Sequence, residues 1–403
     1  MAEKIEHQMS FGSVIKSNVR NYSMVLMFAL IMGVFAILTD GTNLNSRNIT
    51  NILIQYGYIF ILAVGMVQVI IIGNIDLSVG RVCAFVGAIS AMIYNTGAGL
   101  VATILISIII GLAIGAFQGM WIAYLKIPAF IVTLSGMLLF RGLTYIITKV
   151  TPIALKDDNF KQIASGFINI DGFSQVFMVK QKMPNGNIKM VPLEVFYTAL
   201  LIGAVLIALY IISEIISRNQ KIKNKFTVLP MNLFIAKLIL ISSFGLFLSW
   251  KFATYRGVPI IAFLLGLVIV GFSFMMKNTV LGRYIYAVGG NARSAKLSGI
   301  NSERIVFTVH VIMGGLCGLA GVIFTGYMNQ ALPQSGENFE LDAIAACFIG
   351  GASTSGGIGT VVGAITGGLV MAAINNGMSL KNVGSNWEYV VKGSVLLLAV
   401  FYD

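Results

Sequence analysis

Val82–Leu125, VCAFVGAISAMIYNTGAGLVATILISIIIGLAIGAFQGMWIAYL, runs for 44 residues without an Asp, Glu, Lys or Arg. A helix rising about 1.5 Å per residue crosses the hydrocarbon core of a bilayer in about 20 residues, so this stretch holds two spans. They fold at Asn95-Thr96-Gly97-Ala98-Gly99, where glycine and asparagine interrupt the apolar pattern. Working outward, further charge-free runs occupy Asn21–Thr39, Asn48–Ile75, Val195–Ser213, Gly257–Met276, Ile305–Gly336 and Ala343–Leu380. Three more spans carry charge within them: Ile127–Thr148 with Arg141, Phe226–Trp250 with Lys237, and Trp387–Tyr402 with Lys392. The glycine-rich 343–380 stretch divides at Gly350-Gly351 and Gly356-Gly357. The expected fold is an all-α polytopic membrane protein with about 10–12 transmembrane segments, some broken or re-entrant.

Composition points the same way. Charged residues make up 10% of the chain, against roughly 25% in an average soluble domain. Apolar residues reach 57% and mean hydropathy is +0.88, from which no water-soluble surface can be built. The 44 glycines suit membrane helices, whose backbones approach closely through small residues. A transmembrane barrel needs short alternating segments rather than long unbroken runs. The net charge of +12 is spread through inter-helix loops without an aromatic-basic stripe, which argues against nucleic acid as a partner.

Loop charge sets the expected orientation. Residues 217–230 hold Arg218, Lys221, Lys223 and Lys225 with no acid, and 277–304 hold five basic residues against Glu303 alone. Both loops are expected in the cytoplasm. Counting spans from them divides the chain into a cytoplasmic segment 1–23, a first half of the bundle 24–149 and an extracytoplasmic loop 150–192. Inserted and connecting spans follow over 193–276 around the basic loop 217–230, then the cytoplasmic loop 277–304 and a second half of the bundle 305–403. Both termini fall on the cytoplasmic side, and the acidic, lysine-free stretch 329–340 falls outside.

No motif in the chain supplies catalysis. GxxxxGK[ST] is missing, so any ATP that drives this protein binds elsewhere. The run Gly350-Gly351-Ala352-Ser353-Thr354-Ser355-Gly356-Gly357-Ile358-Gly359 has no ribose-binding acid after it and reads as helix breaking and packing. Gly111, Gly115 and Gly119 form a small-residue stripe, as do Gly314 with Gly318 and Gly363 with Gly367. Cys83, Cys317 and Cys347 sit in apolar runs without metal-ligand spacing. His7 and His310 are too few and too far apart for a metal or catalytic constellation, and His310 reads as a satisfied buried imidazole.

Acids inside apolar segments are candidate functional groups. Asp76, in Asn74-Ile75-Asp76-Leu77-Ser78-Val79-Gly80, and Asp342, in Glu340-Leu341-Asp342-Ala343, each precede a stretch able to start a helix. Each is therefore either an N-cap or part of a broken helix on a transport path, where Ser78 also meets a polyol. Arg141 reads as snorkelling to the outer face. In 277–304, residues 292–298 are expected to form a short surface helix after a flexible Gly289-Gly290-Asn291, stopped by Gly299. Such a helix is either a docking element for a peripheral partner or an ordinary basic loop at the headgroups.

Ala63-Val64-Gly65-Met66, Ile75-Asp76-Leu77-Ser78-Val79-Gly80, Ile127-Pro128-Ala129-Phe130-Ile131-Val132-Thr133-Leu134, Leu281-Gly282-Arg283 with Ala287-Val288-Gly289-Gly290-Asn291, Leu297-Ser298-Gly299-Ile300, and Leu341-Asp342-Ala343-Ile344-Ala345-Ala346 occur in this order. Together they resemble the membrane permeases of ribose, galactose and xylose ATP-binding-cassette importers. The extra loop and two extra spans over about 150–256 look like the xylose and multiple-monosaccharide type. The resemblance implies a bacterial inner-membrane permease of monosaccharides, paired with a second permease copy. It further implies a separate ATPase that uses ATP and Mg, with no cofactor in this chain, and an extracytoplasmic sugar-binding protein. Coupling to the ATPase would fall to Gly282, Arg283, Ala287, Gly289, Gly290, Asn291, Ala295, Ser298 and Gly299, and Asp76, Ser78 and Asp342 would line the pathway. The alternatives are an ion-coupled secondary transporter, or a permease of the same class for another solute such as a nucleoside. Lys237 and the lysine-rich 180–189 stretch, with a turn at Pro184-Asn185-Gly186-Asn187, have no assigned role.

Overall fold

The computed structural model describes residues 11–182 and 188–401, so His7 and the turn at Pro184-Asn185-Gly186-Asn187 lie outside the described residues. Its helices run α1 Phe11–Leu38, α2 Ser46–Ile71, α3 Val79–Asn95, α4 Leu100–Ala123, α5 Ala129–Thr148, α6 Gln162–Ser165, α7 Tyr197–Lys223 and α8 Met231–Ala253. There follow α9 Ile260–Asn278, α10 Val280–Gly290, α11 Ala292–Leu297, α12 Ser302–Met328, α13 Phe339–Ile349, α14 Val361–Leu380 and α15 Ser385–Phe401. Among the described residues, eight helices (α2, α4, α5, α7, α8, α9, α12 and α14) are long and apolar enough to cross a membrane. Met24–Leu38 and α3 are shorter apolar helices. The chain is an all-α polytopic membrane protein. The 44-residue run folds where expected, with α3 ending at Asn95 and α4 beginning at Leu100 after Gly97 and Gly99 take positive φ.

The chain divides into two compact units. Among the described residues, the larger comprises 24–44, 51–166 and 260–401. At its centre lies α2, where Ile61, Leu62, Ala63, Val64 and Met66 have no exposed surface. Around it the helices meet through glycine. A Cβ on Gly111 would strike the Gly314 carbonyl oxygen, one on Gly115 that of His310, and one on Gly318 that of Ser107, so α4 and α12 are pressed backbone to backbone. Gly363 and Gly367 meet Gly350 and Ala346 in the same manner, joining α14 to α13. The stripes predicted as packing faces are packing faces. Gly351, Gly356, Gly357 and Gly359 all have positive φ, so the glycine run between these helices is a breaker, as read.

Residues 151–166 belong to this larger unit. Strand β1 (Ile153–Ala154) pairs antiparallel with β6 (Gln330–Ala331) after α12, and the Asn95 side chain donates to the Ala154 carbonyl at 2.8 Å while accepting from Lys156 N–H at 3.0 Å. Phe160 is fully buried against Tyr94.

Among the described residues, the smaller unit comprises 11–23, 45–50, 167–182 and 188–259. Here β2 (Phe167–Ile168) pairs with β5 (Val258–Pro259), and β3 (Ser174–Lys182) with β4 (Ile188–Phe196) in an antiparallel ribbon that runs into α7. Val195, Ala199, Ala253 and Val258 form its core. Beyond that core α7 and α8 pack chiefly on each other, and Leu206, Leu209, Ile239 and Leu240 face outward, as suits helices in lipid. Lys237 on α8 meets Glu214 on α7 at 2.8 Å, which accounts for a charge the sequence left without a role.

Candidate functional site

Between α2 and α3 the chain runs without regular structure from Asn74 to Leu77, in the larger unit. Here the backbone's hydrogen-bonding groups need partners other than a helix. Asp76 supplies one: its Oδ1 accepts the Ser78 backbone N–H at 2.8 Å and the Ser78 hydroxyl at 2.7 Å. That hydroxyl has a single proton, and the short bond to the carboxylate claims it. Gln118 on α4 therefore donates through Nε2 to Ser78 Oγ at 2.9 Å. Asp76, Ser78 and Gln118 are all buried. Gly136 on α5 makes room, since a Cβ there would strike Gln118 Nε2.

On the other side of Asp76 stands His310, on α12 and also buried. Its Nδ1 lies 3.9 Å from Asp76 Oδ2, and its Nε2 lies 3.3 Å from the Asn74 side-chain nitrogen. Nδ1 has no hydrogen-bond partner, so the imidazole is buried but only half satisfied, contrary to the sequence expectation. Asn74, Asp76, Ser78, Gln118 and His310 thus form one polar chain through apolar surroundings. Gln118 was invisible in the sequence, being one polar residue in a long apolar helix.

The N-cap expectation needs correction at both acids. Ser78, not Asp76, stands at the N-cap of α3, with Asp76 bonding to it from two residues upstream. Asp342 lies inside the first turn of α13, whose N-cap is Asn338 in the left-handed conformation (φ 63°). The helix starts earlier than expected because the chain reverses at Gly336 and Asn338, both at positive φ. Asp342 is buried and meets Lys392 of α15, whose Nζ lies 3.0 Å from both carboxylate oxygens. Asp342 and Asp76 therefore belong to separate polar clusters.

A third feature was also missed. Arg81, buried in the first turn of α3, donates to the Gln334 and Ser335 carbonyl oxygens at 3.1 and 2.9 Å and faces Glu337 at 3.5 Å. It ties the 334–337 loop to the start of α3.

The residues of the 277–304 loop come together as a second site. Thr279 caps α10 by accepting from Gly282 N–H, and Gly282 packs on the Met275 and Met276 carbonyls, turning the chain sharply out of α9. The expected hinge at Gly289-Gly290 is instead helical, because α10 continues through both glycines. The reason is packing: a Cβ on Gly289 would strike the Ile71 carbonyl oxygen at the end of α2. Tyr286 donates to the Gly359 carbonyl at 2.8 Å, and Gly357 N–H to that of Ile71 at 2.8 Å, so α10 rests on both α2 and the glycine run. Asn291 then turns the chain and caps α11, accepting from Ser294 N–H at 2.9 Å. Gly299 ends the short helix with φ +84° as expected, and Ser298 Oγ bonds back to Ser294 O. Ala295 is buried and Ala287 half-buried, while Arg283, Gly290, Asn291 and Ser298 are exposed. Leu297 is 85% exposed.

Among the described residues no group of three or more His, Cys, Asp or Glu side chains could hold a metal ion.

Comparison with known proteins gives a consistent set of relatives. The family described as Branched-chain amino acid transport system / permease component matches residues 48–400. The chain is 36% identical over 394 residues to the Xylose transport system permease protein XylH of Escherichia coli (strain K12), covering 98% of this chain and 94% of that protein. It is 35% identical to the Xylose transport system permease protein XylH of Haemophilus influenzae, with 96% of each covered. Identity to the Ribose import permease protein RbsC of Escherichia coli (strain K12) is 31%, with 94% of this chain and 92% of that protein covered. No solved structure matches.

Proposed function

Because the chain belongs to the family of branched-chain amino acid transport system / permease components, we propose that it is the membrane-spanning permease subunit of an ATP-driven monosaccharide importer of the xylose or ribose class. The chain forms the translocation pathway and leaves nucleotide chemistry to a separate ATPase, which uses ATP and Mg. A second copy of this chain completes the pathway, and an extracytoplasmic sugar-binding protein delivers the substrate to it. The protein resides in a bacterial inner membrane with both termini and the 277–304 loop in the cytoplasm.

The observation that carries this reading is the two-sided character of α10 and α11. One side is built into the bundle through Gly282, Ile285, Val288 and Gly289. The other presents Arg283, Gly290, Asn291, Ser298 and Leu297 with little covering from this chain. A partner that pushes on the exposed side moves α10, which bears on the end of α2 and on the glycine run before α14. ATP and loaded binding protein must each favour one conformation over the other for that movement to pump substrate. Asp342 with Lys392 contributes to the pathway wall, while Asp76 and Ser78 hold the broken segment at the start of α3.

The test is affinity purification of the tagged chain from membranes, compared with Gly290→Leu and Ser298→Trp variants. No heavy atom lies within 4 Å of a Cβ built on Gly290, so a side chain can start there without collision. The expected result is an ATPase that co-purifies with the native chain and is lost with the variants. A native chain that purifies stable and without any ATPase, yet still carries sugar across vesicles, sinks the proposal.

A further inference from the structure

We propose that His310 and Asp76 form a proton-binding site, entered from a cleft at Asn74, and that its occupancy biases the broken segment between α2 and α3.

Both groups are buried, and His310 Nδ1 is an unpartnered polar atom aimed at Asp76 Oδ2 from 3.9 Å. The other ring nitrogen decides what Nδ1 carries. If the Asn74 amide nitrogen donates to Nε2 over their 3.3 Å contact, Nε2 is the acceptor and the neutral ring holds its proton on Nδ1, toward Asp76. If the amide is rotated so that its oxygen faces Nε2, that nitrogen carries a proton, and a ring that keeps its Nδ1 proton as well is a cation beside the carboxylate. Taking up one proton at His310 thus needs only a rotation of the Asn74 amide. It turns a contact too long for a hydrogen bond into an attraction between opposite charges. The added proton sits on the imidazole ring.

The route to the ring is open at one end. Asn74 lines a cleft of about 280 Å³ together with Lys126, Ala129, Ser302 and Glu303. Solvent reaching that cleft is one amide away from the imidazole. Beyond His310, the chain Asp76–Ser78–Gln118 reaches α4, so the charge on the ring is felt by α3, α4 and α12 together.

Few other charges compete. Lys126, just beyond α4, and Glu303, on α12, face one another in the cleft at 4.0 Å, and Glu303 also accepts from Lys296 at 3.0 Å. Arg81 of α3 is committed to the 334–337 loop, Cys317 of α12 is a buried thiol, and α5 offers Thr133, whose hydroxyl lies 3.4 Å from the Ile75 carbonyl. Imidazole is the side chain suited to change charge between about pH 5 and 8.

The site stands without the importer reading, and only its effect on pumping rests on it. The test therefore has two arms. In the first, the purified full chain carrying His7→Gln and ¹⁵N-labelled histidine is followed by nitrogen NMR. The His310 ring is expected to gain a proton within that pH window, with the midpoint displaced in Asp76→Asn and in Asn74→Ala. A ring that stays neutral throughout, or a midpoint indifferent to Asp76→Asn, overturns the proposal. In the second arm, sugar uptake by the complete transporter in vesicles is measured across the same range. Uptake is expected to change by at least about fivefold in the native complex and to be flat in His310→Gln. A native-like pH profile in His310→Gln overturns the proposed bias, whereas uptake independent of ATP with the ring titration intact counts against the importer reading alone.

Discussion

Gly80 at the start of α3 and Gly336 before α13 touch backbone to backbone: a Cβ built on either residue collides with the carbonyl oxygen of the other. The contact sits beside Arg81, whose guanidinium holds the carbonyls of Gln334 and Ser335. Two glycines far apart in the chain thus serve one junction between the start of α3 and the turn before α13.

Gly336→Ala should be the more harmful change at that junction. It adds the collision to a φ of +80°, which alanine resists. A loss of about 2–3 kcal/mol is expected, read as a lowered midpoint in thermal unfolding of the chain in detergent. Gly266→Ala in α9, where no heavy atom lies within 4 Å, should leave the midpoint unchanged or slightly raised.

Lys392→Met removes the partner of Asp342 and leaves a carboxylate buried between α13 and α15. Breaking such a pair from one side costs about 3 kcal/mol, while replacing both members by uncharged groups restores much of it. The double variant Asp342→Asn with Lys392→Met should therefore be more stable than Lys392→Met alone. A double variant no better than the single would show that the pair does not hold the two helices together.

Lys237 and Glu214 invite the same cycle in a different setting. Their helices pack chiefly on each other, and the pair is an ionic link across α7 and α8. Lys237→Met is expected to weaken their association by about 1–3 kcal/mol. Disulfide trapping between cysteines introduced at facing positions on the two helices would measure it, and Glu214→Gln in the same chain should recover part of the loss.

Acid should loosen the segment 151–166 first. The Tyr94 hydroxyl donates to Asp157 at 2.7 Å, and that bond, with the Asn159 N–H, holds the Asp157 carboxyl below its ordinary range. A depressed carboxyl stabilises the fold at pH values above its unfolded pKa, about 4, and the contribution is lost as pH falls through the lower folded value. The protection of peptides from 151–166 against hydrogen exchange, taken relative to the intrinsic rate at each pH, should fall below about pH 4. In Tyr94→Phe the protection should already be lower at neutral pH and should fall less on acidification, since the principal cause of the shift is gone.

Span positions and the helix-breaking role of the 350–359 run were legible because lipid imposes a length and a composition on every crossing helix. Val82–Leu125 could fold only as two spans, and Gly299 could only stop a helix. The stripes at Gly111, Gly115 and Gly119 and at Gly314 and Gly318 announced close packing by their spacing. What they could not announce was that they face each other, since any small stripe fits any other.

The polar cluster shows the same divide. Asp76 stood out because an acid in an apolar stretch is costly, and sequence alone was enough to mark it. Its partners were decided by tertiary structure, because a hydrogen bond depends on a few tenths of an ångström between helices far apart in the chain. Gln118 and His310 reach Asp76 only because α3, α4 and α12 pack together, and Lys392 finds Asp342 only because α15 crosses α13. The rigid seat of α10 was likewise hidden, since Gly289 reads as a hinge until the Ile71 carbonyl is brought against it. The sequence by itself determined which stretches are long and apolar enough to cross a membrane, through hydrophobic length. Only the tertiary structure decided which buried polar groups answer one another, through distance.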